Sequence, residues 1–210
     1  MILHGYWRSG AAYRTRIALN LKGLSYEQRG VDLRTGAQRS EAFVALNPQG
    51  MVPALEAEGA VLTQSPAILE WLEEATPSPP LLPTDPVGRA RVRAMAALIA
   101  CDIHPLNNLR VGKALRESFG ADQAAVDAWA ARWILPGFTA LESLVAAHGQ
   151  GWSYGDAPGL ADCYLIPQIY SARRFNVALD AFPRLLEIDR AAAAHPAFAA
   201  AHPDRQPDAD

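Results

Sequence analysis

The chain has 210 residues, half of them hydrophobic and a fifth charged, with a formal net charge of -3. That length builds one large domain or two small ones with real cores, and the charge balance gives none of the basic footprint of a nucleic-acid-binding domain. No apolar run approaches the roughly 18 residues of a membrane helix, and the N-terminus lacks the basic-then-apolar pattern of a signal peptide, so a cytoplasmic protein is expected.

Residues 2–7 form an apolar run that reads as a strand and breaks at Arg8-Ser9-Gly10. A helix is expected over 11–22, with Ile17 and Leu21 four apart on one face and Gly23 suited to a left-handed cap. A second strand over 26–33 and a short helix over 40–46 follow, the latter stopped by Asn47-Pro48. Strands over 52–57 and 60–63 flank Glu58-Gly59, a hairpin signal. Ser65 then caps a helix with Pro66 at its first position and Ile68, Leu69 and Leu72 inside. The order β-α-β-α-β-β-α predicts an α/β sheet containing parallel strands.

Five prolines fall within residues 76–86, a density that ends helices and reads as a linker. From residue 87 to about 201 the pattern becomes helix after helix. Trp129, Trp133, Leu141, Val145 and His148 recur at spacings near four, which places most of them toward a core. Pro105 and Pro136 are expected to break or kink their helices. The organisation is an α/β domain over 1–80, a larger helical domain over 87–203, and a polar tail over 204–210 expected to be disordered. The two cysteines, Cys101 and Cys163, form no CxxC or metal-like spacing and are expected to be small buried apolar residues.

Three positions carry candidate chemistry. A hydroxyl at a strand-to-helix turn, where backbone N–H groups point outward, favours a thiolate, and Ser9 stands there; it also suits a plain helix cap. Pro53 reads by default as a trans turn proline, whereas a cis Val52-Pro53 bond would turn the Val52 N–H and C=O toward an extended peptide. Ser65 is either a cap or, with the free N–H groups of its helix and the Gln64 amide, part of an anion site. Jointly these make a peptide-binding platform.

Several segments resemble the zeta class of the glutathione transferase superfamily. They are the run from Tyr6 through Arg8, Ser9 and Tyr13 to Leu19, Leu46-Asn47-Pro48-Gln49, Gln64-Ser65-Pro66-Ala67-Ile68, and the stretch from Asp102 through His104 and Asn108 to Arg110. Gly155-Asp156, Leu160-Ala161-Asp162 and Ala172-Arg173-Arg174-Phe175 extend the resemblance over nearly the whole chain. It implies a thioredoxin-like α/β N-terminal domain plus an all-α C-terminal domain, glutathione as cofactor, and a homodimer. It also implies cis–trans isomerisation of a maleyl ketone, either maleylacetoacetate in tyrosine breakdown or maleylpyruvate.

Carried over residue by residue, the resemblance assigns glutathione binding to Ser9, Gln49, Val52, Pro53, Gln64, Ser65, His104 and Asn108. It assigns substrate carboxylates to Arg8, Arg110 and Arg174, with Ser9, Arg8 and Arg174 catalytic; no metal is implied. Arginine suits carboxylates because its planar fork donates two parallel hydrogen bonds. Read alone, Arg110 and Arg174 are ordinary helix-surface charges, His104 is a satisfied buried histidine, and either Arg173 or Arg174 faces the site.

The chain departs from the class pattern twice. Where relatives commonly read Ser-Ser-Cys, it has Ser9-Gly10-Ala11, which removes any help from a cysteine and argues against thiol–disulfide chemistry. Gly159 stands where Ser or Thr usually opens a capping box closed by Asp162, so the backward bond to the Gly159 N–H is kept and the forward one lost. Leu109 beside Arg110 adds no second cation, which favours the longer substrate, maleylacetoacetate. The competing readings are a transferase or dehalogenase acting on small anionic electrophiles, and a glutathione-binding protein without catalysis.

Overall fold

The structure, a computed structural model, describes residues 1–209. Its contacts form two compact units, Met1–Leu81 together with the segment from Ala193 onward, and Leu82–Ala192. The division differs from the sequence expectation at the C-terminus. Residues beyond 192 belong with the first unit, because Arg16 and Asn20 donate to the Ala201 and Ala197 carbonyls at 3.0 and 2.9 Å.

The first unit is built on a four-stranded sheet of order β2-β1-β3-β4, with β1 at Ile2–Gly5, β2 at Glu27–Gly30, β3 at Ala54–Ala57 and β4 at Ala60–Thr63. β1 pairs parallel with β2 and antiparallel with β3, and β3 pairs antiparallel with β4. The parallel pair exists because α1, Gly10–Leu21, supplies the crossover that such a pair requires. α2, Glu41–Leu46, starts at a Ser40 cap whose hydroxyl accepts the Phe43 N–H. α3 spans Ser65–Ala75.

α1 is buried from Ala12 to Leu19, since α3 and α9 (Pro196–Ala201) pack against it and Ala12 approaches Gly5 of β1. Its approach to the sheet depends on two small residues: a Cβ added at Gly5 would lie 3.1 Å from the Ala12 Cβ. Leu3, Ile17, Leu55, Ile68, Leu69 and Leu72 are fully buried around this contact. Each such side chain contributes about 1.5–3 kcal/mol through its removal from water.

The tail differs from the expected disorder as far as it is described. Residues 203–205 form a 3-10 turn, and Gln206 donates to the Ala200 and His202 carbonyls at 2.9 and 2.7 Å. Asp208 is likewise bonded within the first unit, while Asp210 lies outside the described residues.

The second unit holds α4 (Pro86–Ala97), α5 (Leu109–Phe119), α6 (Gln123–His148), α7 (Leu160–Arg174) and most of α8 (Pro183–Ala194). α4 is capped by Asp85, which accepts the Gly88 N–H at 2.7 Å. After α4 the winding loosens into a π turn at Leu98–Ile103 and tightens into a 3-10 turn at His104–Asn107. Pro105 explains the change, because it has no N–H to donate and its ring collides with the carbonyl four residues back.

Pro136, by contrast, does not end α6. The helix buries Ile134, Phe138 and Leu141 on its other side, and that packing outweighs the roughly 3 kcal/mol penalty of an interior proline. Leu141 and Val145 reach the core as expected, whereas Trp133 is 36% exposed and Trp129 donates its indole N–H to the Leu106 carbonyl at 2.7 Å. Cys163 is buried as expected, but Cys101, on the π turn, is exposed. No helix among the described residues is long and apolar enough to cross a membrane.

Candidate active site

The turn between β1 and α1 carries Arg8 and Ser9. Ser9 has extended backbone angles and caps α1, its hydroxyl oxygen accepting the Ala12 N–H at 3.3 Å. A serine hydroxyl has one donor and two acceptor positions, so capping leaves the O–H hydrogen able to serve an anion. The two roles left open by the sequence are therefore compatible. The Arg8 guanidinium stacks over the Trp7 ring at 5.2 Å, which holds the cation at the turn.

The second edge of this site is the loop between α2 and β3. Asn47, buried, accepts the Gln49 N–H at 3.2 Å and donates to the Met51 carbonyl at 2.6 Å. The loop is thereby folded back on itself and leaves Gln49 exposed. The Val52-Pro53 bond that follows is cis, and Pro53 is buried.

The third element is the start of α3. Gln64, not Ser65, is the capping position, and no side chain caps the helix. Gln64 sits at φ 64° and ψ 107°, a backbone region that costs a non-glycine residue about 1–3 kcal/mol and recurs at ligand-binding sites. Its amide donates to the Gln49 side-chain carbonyl, which joins the two loops. The Ser65 hydroxyl accepts from Arg14 on α1 at 3.4 Å instead of capping. The first-turn N–H groups of α3 thus have no side-chain partner, and a helix start in that state attracts a carboxylate.

Within the first unit, then, Ser9, Gln49, Val52, Pro53, Gln64 and Ser65 fall on three loops around the starts of α1 and α3. Arg14 joins this set without any motif to announce it. An arginine in the middle of an apolar helical run was the available signal, because such a residue is rarely buried without partners.

In the second unit, His104 opens the 3-10 turn. Asn108 caps α5, its side chain accepting the Arg110 N–H at 3.1 Å. Arg110 is therefore fixed in the first turn of α5, with its side chain exposed. Arg173 and Arg174 end α7, and Arg173 is bridged to Asp189 of α8 at 2.6 Å. Asp162, 1% exposed, accepts the Gly159 N–H at 2.8 Å and the Ser153 N–H at 2.9 Å. The backward capping bond is present as expected, and the Ser153 bond is an addition. Burial pushes the Asp162 carboxyl above its ordinary value, against the pull of these donors. Among the described residues, no group of three or more His, Cys, Asp or Glu side chains is placed to hold a metal ion.

A four-stranded sheet of this order with a hydroxyl at the first strand-to-helix turn, followed by a helical unit, is the architecture of a glutathione transferase. The family model for the glutathione S-transferase N-terminal domain matches residues 8–75. The chain is 54% identical to the maleylacetoacetate isomerase of Pseudomonas aeruginosa, over 99% of this chain and 98% of that protein. It superimposes on the holo structure of a bacterial maleylpyruvate isomerase, described as a zeta-class glutathione S-transferase, with a TM-score of 0.98 at 52% identity, covering 100% of both chains. The maleylacetoacetate isomerase of Anaeromyxobacter dehalogenans, solved with glutathione in its active site, matches with a TM-score of 0.90 at 49% identity over 100% of this chain and 97% of that one. The chain belongs to the maleylacetoacetate and maleylpyruvate isomerase family of zeta-class glutathione transferases.

Proposed function

We propose that this chain is a glutathione-dependent cis–trans isomerase that converts maleylacetoacetate to fumarylacetoacetate. The observation that carries the reading is the Ser9 turn, where a hydroxyl keeps its O–H free at the start of a buried helix. The residues present fit glutathione. The uncapped start of α3 suits a carboxylate, and the Asn47-braced loop with Val52 suits an extended peptide. Bound glutathione supplies the thiol that adds to the maleyl double bond and leaves it again, so that the bond can rotate in between.

Ser9 donates to the sulfur and favours its ionised form, while the positive end of α1 acts in the same direction. Gln49, Val52, Pro53, Gln64 and Ser65 hold the peptide, with His104 and Asn108 as further contacts. Arg8, Arg110 and Arg174 receive the carboxylates of the substrate and the negative charge that develops beside its ketone. Arg174 is assigned as the substrate-facing member of its pair by the resemblance to the zeta class, while Arg173 is bridged to Asp189. A homodimer, a cytoplasmic location and a place in tyrosine breakdown belong to the same reading.

Maleylpyruvate is the second substrate to weigh, because the likeness to a maleylpyruvate isomerase is as high as that to a maleylacetoacetate isomerase. The test follows loss of both substrates in parallel, with and without glutathione. Glutathione-dependent turnover of either one establishes the isomerase, and the higher kcat/KM names the substrate. Glutathione binding without turnover of either replaces the isomerase reading with that of a transferase or a binding protein.

A further inference from the structure

We propose that Asp208, near the end of the chain, is a positioning residue for the Ser9 turn; this rests on the isomerase reading above and deepens it. The Trp7 N–H donates to Asp208 Oδ2 at 2.9 Å, although the two residues are 201 positions apart. The other oxygen, Oδ1, accepts from the Gln28 side-chain amide on β2 at 2.9 Å. The Trp7 carbonyl is held from the opposite side by Arg16 Nη2 at 2.9 Å, and Arg16 Nε donates in turn to the Ala201 carbonyl at 3.0 Å.

Trp7 is the residue before Arg8-Ser9, and it lies beyond the end of β1 at Gly5, so the sheet does not satisfy its backbone groups. The C-terminal segment does so, directly through Asp208 and through Arg16 anchored on Ala201. The Ser9 N–H donates to the Tyr6 carbonyl at 2.9 Å, which leaves the turn fixed at three successive peptide groups. The approach of the tail depends on Gly30 at the end of β2, where an added Cβ would lie 3.1 Å from the Asp208 Cβ.

A carboxylate makes this bond charge-assisted and short, and its loss leaves the N–H of a buried residue unpaired. The Arg8 guanidinium rides on the Trp7 ring, so a shift of Trp7 moves the cation as well as the hydroxyl beside it. Displacement of such groups by about 1 Å can cost up to roughly a hundredfold in rate.

The test compares Asp208→Ala, Asp208→Asn and the exposed tail control Arg205→Ala in the full chain. Each is measured for kcat and KM with the maleyl ketone that the wild type turns over, for ultraviolet titration of bound glutathione thiolate, for melting temperature, and for hydrogen exchange at the Trp7 amide. Asp208→Ala is expected to lower kcat about tenfold, raise the thiol pKa and speed Trp7 exchange, with little change in the KM for substrate. Asp208→Asn should recover most of this, since its Oδ1 still accepts the Trp7 N–H and a flipped Gln28 offers its presently unpaired Oε1 to the new amide. Arg205→Ala should match the wild type.

Unchanged thiol titration and unchanged Trp7 exchange in Asp208→Ala overturn the proposal. So does a loss of kcat that only follows the melting temperature and is not recovered by Asp208→Asn. If the wild type itself shows no glutathione-dependent turnover, the isomerase reading fails, and the thiol titration and Trp7 exchange still decide the positioning role.

Discussion

Lys22 Nζ lies 2.6 Å from the Glu73 carboxylate, with the two side chains 0% and 7% exposed. The same ammonium donates to the Thr76 and Pro79 carbonyls at 2.6 and 2.9 Å, so all three of its donors are used. Glu73 also accepts the Leu81 N–H at 2.9 Å. The end of α1 and the end of α3 thus fix the proline-rich segment between them through one buried charge pair.

Breaking that pair from one side strands a charge in the core. Lys22→Met is expected to cost about 3–5 kcal/mol, and adding Glu73→Leu should restore part of it because no charge is then left unpaired. Urea unfolding of both variants checks this. A single variant within about 1 kcal/mol of the wild type would show that the pair behaves like one at the surface.

Ser9 has a capping role and a proposed catalytic one, and they separate in different measurements. Ser9→Ala should lower stability by about 1 kcal/mol through the lost cap. It should also lower kcat by about 10²–10³ if the hydroxyl stabilises negative charge during the reaction. Ser9→Thr keeps an oxygen that can do both and should retain most of the activity. A Ser9→Ala enzyme with near-normal kcat removes Ser9 from the mechanism.

The two arginines that end α7 should respond differently. Arg174→Ala is expected to lose about 1.5–3 kcal/mol of transition-state stabilisation, read as a fall in kcat/KM for the maleyl ketone. Arg173→Ala breaks an exposed bridge to Asp189 and should change stability by no more than about 1 kcal/mol, with kcat/KM intact. The reverse pattern would make Arg173 the substrate ligand.

Asp162 gives a pH signature with a defined sign. Burial raises its carboxyl in the folded protein, so the folded state holds the proton more tightly than the unfolded state. Stability from this group is fully present below the unfolded value of about 3.9 and is lost as pH rises through the raised folded value. Melting curves across that range should show the advantage of the wild type over the non-titrating Asp162→Asn shrinking as pH rises; a widening gap would reverse the assignment. The neighbouring Gly159→Ser should add a few tenths of a kcal/mol, because Gly159 already has extended angles that serine adopts.

Local chemistry made much of this protein legible. Alternating apolar runs and turn residues gave the strand and helix order, Asn47-Pro48 marked the end of α2, and the turn at Ser9 announced a helix start with a free hydroxyl. The resemblance added the glutathione and substrate residues that periodicity alone would have left as surface charges. Less legible were Pro136, where packing on the far side of α6 overrides a local breaker, and Cys101, which the loosened turn before Pro105 leaves exposed. α3 starts one residue earlier than a Ser65 cap predicts, with Gln64 at the capping position in a left-handed backbone conformation and its amide bonded across to Gln49.

The sequence by itself determined the elements, their order and the chemistry available at each turn, since these depend on residues a few positions apart. Only the tertiary structure decided which distant groups complete them. Arg14 reaches Ser65, Lys22 reaches Glu73, and Asp208 reaches Trp7 across spans of 51, 51 and 201 residues. A buried polar group must find a partner wherever the fold brings one, and no local pattern encodes where that will be.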